Sequence, residues 1–238
     1  ILIMTRWHED DLAGRLLAES DNWIVISLPA ECDDENGLLG RKLGEPLWAY
    51  GGYDEKWIEE SKIALGSRVW TSLYQQKPSI ETGNIFKRDW IKYYDELPIG
   101  IEQYTQSWDF TFKDGTENDY VCGGVWGKKG SNHYLIHRVK ERLDFVKSVE
   151  RLETVTNIYP QAKRKLVEEK ANGAAIISTL KNKISGIIAI NPKESKTARA
   201  YAVTPLFEAG NVYLPRNAIW VEDYINELLS FPNGKNDD

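Results

Sequence analysis

Between Tyr104 and Phe112 the chain alternates: Tyr104, Gln106, Trp108, Phe110 and Phe112 interleave with Thr105, Ser107, Asp109 and Thr111. A period of two is the mark of an extended strand whose side chains point to opposite faces. Asp114-Gly115 follows as a turn signal, and Asp119–Trp126 reads as a second strand. Lys129-Gly130-Ser131-Asn132 then turns into a third, Tyr134–Val139. Strands joined by such short turns pair antiparallel, so this stretch predicts a meander.

The pattern next switches to helix and strand in alternation. Asp144–Tyr159 is helical, with Phe145, Val149, Leu152, Val155 and Tyr159 near one face and Pro160 as its stop. Lys165–Glu168 is a strand, Gly173–Leu180 a helix, Ile184–Ile190 a strand and Lys196–Phe207 a helix. Val212–Pro215 is a short extended piece before a last helix, Trp220–Leu229. A meander followed by alternation predicts an α/β fold in which helices flank a mixed, five-stranded sheet. This is the order used by the ribonuclease H-like fold, and we place it at residues 99–238. Ahead of it, Ile1–Thr5 reads as a strand, and the helix Glu9–Leu17 opens with acids at its positive end. Residues 30–56 have no clean period and read as a long connection, and Glu55–Leu73 is a helix ended ahead of Pro78.

The chain has no run of eighteen apolar residues, so no membrane span is expected. Ile1-Leu2-Ile3-Met4 lacks the basic flank of a signal peptide and reads as a strand cut from a longer chain. Cys32 and Cys122 are far apart and outside any metal-ligand spacing, which argues against zinc and for a reduced, cytoplasmic compartment. Gly123–Lys129 misses the phosphate-cradling loop in spacing and in the Ser or Thr after its lysine, so no ATP site is expected.

A net charge of −6 argues against a polyanion partner only if it is evenly spread. From Gly127 to Arg199 there are 16 Lys plus Arg and 7 Asp plus Glu, hence +9; the remainder is (30−16) − (36−7) = −15. A basic middle in an acidic chain is the footprint of a nucleic-acid-binding face, the alternative being ordinary solvated helix faces.

Three acidic points stand out: Asp109, the strand end Val167-Glu168-Glu169, and Asp237-Asp238. Brought together they would hold divalent ions, and two such ions drive in-line attack on a phosphodiester. In the expected fold the first strand is central and the fourth lies beside it, so Asp109 and Glu168 would face each other. Like charges that close need a cation between them; the alternative is a carboxylate satisfied by a Lys or Arg. Strand alternation lets only one of Glu168 and Glu169 face the site. Oxygen ligands without histidine or cysteine suit Mg2+ or Mn2+. Asp114, Glu117 and Asp119 read as turn formers and solvated groups, and His133 and His137 as residues of one strand face.

At these residues the sequence resembles the large terminase subunits of tailed bacteriophages and prophages, in their C-terminal nuclease half. Met4-Thr5-Arg6-Trp7-His8-Glu9-Asp10-Asp11-Leu12-Ala13-Gly14-Arg15-Leu16 is similar to the end of that family's ATPase domain. Ser107-Trp108-Asp109 with Asn118-Asp119-Tyr120 resembles its first nuclease motif, and Val167-Glu168-Glu169-Lys170-Ala171-Asn172-Gly173 its second. Ser195-Lys196-Thr197-Ala198-Arg199-Ala200 and Glu208-Ala209-Gly210-Asn211-Val212 with Leu214-Pro215 also match, and Phe231–Asp238 resembles the approach to the third motif. Asn236 stands where a histidine is common, and the family's ATP-binding motifs are not in this chain.

The resemblance implies a metal-dependent endonuclease that cuts concatemeric viral DNA during genome packaging, in the cytoplasm of a bacterial host. Residues 1–30 would be the end of an ATPase domain and 31–98 a connecting region. Asp109 and Glu168 would be metal ligands, with the third from Asp237 or Asp238. Lys128, Lys129, Lys196 and Arg199 would bind the DNA backbone. Partners would be double-stranded DNA, the portal of the procapsid and a small terminase subunit. Two alternatives stay open. One is another ribonuclease H-like nuclease such as a resolvase or transposase core, which has no reason to carry Thr5-Arg6-Trp7-His8. The other is a non-catalytic DNA- or portal-binding module, whose acids would bind no manganese.

Overall fold

Asp11 starts the first helix, α1 (Leu12–Glu19), by accepting the Gly14 N–H on its carboxylate. Arg6 pairs with the same carboxylate at 2.8 Å. Burial opposes ionisation of Asp11, but Arg6 and the amides of Gly14 and Trp7 outweigh it and hold the acid at about 2. The cap's contribution is therefore complete above the ordinary carboxylate pKa and lost as pH falls through about 2.

The computed structural model describes residues 1–78, 85–110, 120–169 and 173–233. The chain divides into two compact units, Ile1–Gly83 and Asn84–Asp238. In the first, α2 (Glu55–Val69) is capped by Asp54, bends at Gly66 (φ 76°) and runs into a π-helical turn, Trp70–Tyr74. Trp57, Trp70 and Tyr74 pack ring on ring, with centroids 5.1 to 6.2 Å apart. The expected strand Ile1–Thr5 is not one: pairing among the described residues of this unit is limited to two isolated bridges, Glu31 with Pro46 and Trp48 with Tyr53. An apolar, β-branched run becomes a strand only when an edge is there to bond it.

The second unit is built on a sheet of seven strands: β1 (Lys92–Tyr94), β2 (Gln103–Asp109), β3 (Val121–Lys129), β4 (Asn132–Glu141), β5 (Arg164–Glu168), β6 (Ile187–Ile190) and β7 (Val212–Pro215). Their order is β1-β7-β4-β3-β2-β5-β6. The five expected strands are the contiguous block β4-β3-β2-β5-β6, with β2 central and β5 parallel beside it. The expected count of five is corrected to seven because β1 and β7 extend the sheet beyond β4. Strands of three and four residues are too short to show a period, and their parallel partners are remote in sequence.

Helices α3 (Phe145–Ile158) and α4 (Gly173–Lys183) cover one face, and α5 (Lys196–Glu208) and α6 (Val221–Ser230) the other. On the first face Trp108, Val121, Val125, Val139 and Val167 pack with Val149, Leu152, Val155, Ile177 and Leu180. On the second, Leu135, Val212 and Leu214 pack with Phe207, Val221 and Ile225. Full burial of each such side chain stabilises by about 1.5–3 kcal/mol.

Gly123 in β3 lies opposite Trp108 of β2, and a Cβ there would sit 2.5 Å from the indole. We expect Gly123→Ala to destabilise the fold by about 1–3 kcal/mol, because the ring has no slack in a packed core. Urea unfolding would show this as a lower midpoint at unchanged slope.

Candidate active site

Trp108 is registered against Val167, and both side chains enter the core beneath α3 and α4. One residue further along each strand, alternation turns Asp109 and Glu168 to the opposite face, side by side at the ends of β2 and β5. Neighbouring strands lie about 4.8 Å apart, so the two carboxylates share one small region. The approach of β2 is stiffened from below. Gln106, fully buried, accepts the Trp108 indole N–H at 3.0 Å and donates to Thr156 at 3.3 Å.

Asp109 and Glu168 line a cleft of about 470 Å³ on the α5/α6 face. Ser107, Cys122 and Gly124 are small residues between its walls, and Arg138, Lys196, Arg199 and Glu227 also line it. Glu169 does not line the cleft; it lies just past β5, where its backbone N–H bonds Ile190 O at 2.7 Å.

Two of the cleft's cations come from α5. Ser195 caps that helix by accepting the Ala198 N–H, which starts it beside the acids and brings Lys196 and Arg199 to the cleft. Arg199 Nη1 donates to Glu168 Oε2 at 3.2 Å. Among the described residues its Nε is a buried donor with no hydrogen-bond partner. The residue read as a phosphate ligand is thus paired here with one of the acids. Lys128 and Lys129 are not brought to the cleft. Lys128 is registered against Gln103, at the opposite end of β2 from Asp109, and six residues of strand span about 20 Å. Lys129 Nζ donates to Ile99 O at 2.8 Å.

Asp237 and Asp238, like Asp114, Glu117 and Asp119, lie outside the described residues. Among the described residues no group of three His, Cys, Asp or Glu side chains is placed to hold a metal ion. Asp109 and Glu168 fit two places of an all-oxygen set. His133 and His137 lie away from the cleft, and burial holds each below the usual imidazole range, helped by Lys128 and Arg151 respectively. Sequence reading misses one group in the cleft wall: Arg138 of β4 pairs with Glu227 of α6 and lies over the Tyr224 ring at 5.2 Å, and Lys140, two residues along β4 and behind the lining, pairs with the same carboxylate. Those partners are separated by more than eighty residues, and no local pattern links them.

Three comparisons bear on this geometry. The family model described as the terminase RNaseH-like domain matches residues 106–238, more than half of the chain. Among solved structures, a large terminase from a thermophilic bacteriophage is 17% identical with a TM-score of 0.57, over 73% of this chain and 43% of that one. The large terminase nuclease from thermophilic phage G20c with bound magnesium is 16% identical with a TM-score of 0.46, over 63% of this chain and 82% of that one. This chain therefore spans less than half the length of the first of these proteins. No curated protein sequence matches it. No described helix is long and apolar enough to cross a membrane. With the family match extending across most of the seven-stranded unit, this chain belongs to the terminase RNaseH-like domain family.

Proposed function

We propose that this chain is a divalent-metal-dependent endonuclease that cuts concatemeric viral DNA during genome packaging. The observation that carries the reading is the side-by-side placement of Asp109 and Glu168 at the ends of adjacent parallel strands, in a cleft that also holds Lys196 and Arg199. A pair of carboxylates suits Mg2+ or Mn2+, hard ions that prefer oxygen. Asp237 or Asp238 would complete the set. A bound divalent ion supplies Lewis acidity at the phosphodiester and lowers the pKa of the attacking water. The protein's own part is to hold the carboxylates rigidly, through the packed Trp108 and Gln106 beneath them. Lys196, and Arg199 once it leaves Glu168, would hold phosphate oxygens. The unsatisfied Arg199 Nε supports that exchange, because a buried donor without a partner gains by meeting an anion.

On this reading residues 1–30 are the end of an ATPase domain, 31–98 connect it and add β1 to the edge of the sheet, and 99–238 form the rest of the nuclease. The partners are double-stranded DNA, a procapsid portal and a small terminase subunit, in the cytoplasm of a bacterial host. The Glu168–Arg199 ion pair favours a second reading, a non-catalytic DNA- or portal-binding module whose acids are neutralised by cations. One assay separates the two. Supercoiled plasmid should be nicked with magnesium or manganese and left intact with EDTA. Absence of nicking, together with absence of manganese binding by calorimetry, would leave the binding module.

A further inference from the structure

The ladder registers arrange the cleft in two rows. Asp109 of β2 is opposite Cys122 of β3, which is opposite Lys140 of β4. In the row behind, Ser107 is opposite Gly124, which is opposite Arg138. The middle places, Cys122 and Gly124, carry a small side chain and none. The result is a trough with acids on one bank and cations on the other, the banks separated by two strand spacings, about 10 Å.

Among the described residues the cation bank is not self-neutralised. Arg138 and Lys140 share one carboxylate, Glu227, with one oxygen each, so the group carries a formal charge of +1. Their side chains are only 9% and 13% exposed, so little water screens that charge. Tyr224 lies against the Arg138 guanidinium and fixes its plane. A shielded, oriented and unbalanced positive charge facing a cleft is a site for an anion, and a planar guanidinium suits phosphate oxygens.

We propose that Arg138 and Lys140, held toward the cleft by Glu227, grip a backbone phosphate of DNA on the bank opposite Asp109 and Glu168. The proposal rests on the nuclease reading for its ligand but not for its test. Binding of a short fluorescent duplex would be followed by anisotropy in EDTA, where no metal-dependent cutting occurs, over a series of salt concentrations. Each lost phosphate contact lowers the magnitude of the log K against log salt slope by about 0.9. Arg138→Gln is expected to show that drop and to weaken binding to unrelated sequences alike. Lys56→Ala, an exposed position in the first unit, should keep the full slope. Should Arg138→Gln lose its thermal unfolding transition, Lys140→Gln carries the same expectation. Wild-type slopes in folded Arg138→Gln and Lys140→Gln proteins would overturn the proposal while leaving nicking untouched. A wild-type protein that never nicks yet shows the drop would instead overturn the nuclease reading and keep the phosphate bank.

Discussion

Asp109→Asn should abolish metal-dependent nicking while the protein still unfolds at its wild-type midpoint. The amide has nearly the shape of the carboxylate, so the end of β2 keeps its packing through Trp108 and Gln106. What it loses is the negative charge that, on the proposed reading, would attract a divalent ion. Metal assistance supplies several kcal/mol to such a displacement, and at 1.36 kcal/mol per decade a loss of about 4 kcal/mol is roughly 10³-fold in rate. The measurement is nicking rate at saturating manganese together with a thermal melt. Undiminished rates would remove Asp109 from the site; a collapsed melt would show that its charge serves the fold.

The next largest effect is expected at Glu168. Glu168→Gln should lower nicking by a similar factor, about 10³-fold, whereas Glu169→Gln should stay near wild type. The distinction follows from strand parity. Val167 is buried in the core, so Glu168 turns to the cleft, and Glu169 lies beyond it with its N–H tied to Ile190. Loss of Glu168 has a second consequence. It removes the partner of Arg199, whose guanidinium would then be available to phosphate. DNA binding in EDTA should therefore not weaken in Glu168→Gln, even as cutting fails. Activity lost in Glu169→Gln and kept in Glu168→Gln would mean that β5 is out of register by one residue.

The sequence by itself determined the strands with a long enough period and the helices between them. Alternation from Tyr104 marked β2, turn residues bounded β3 and β4, and Pro160 marked the end of α3, because each of these signals is local. The same locality made Asp109 and Glu168 visible as strand-end acids within known motifs. Tertiary structure alone decided what those residues meet. β1 and β7 become strands only by parallel pairing with remote partners. Ile1–Thr5, for all its apolar character, forms no strand among the described residues. Lys128 and Lys129 share the basic segment with Lys196 and Arg199, yet lie about 20 Å of strand away from the acids, since charge composition carries no register. The pairing of Arg199 with Glu168, and of Arg138 and Lys140 with Glu227, joins β5 to α5 and β4 to α6. Side chains that far apart in sequence acquire an interaction only when the sheet and its covering helices set them within reach.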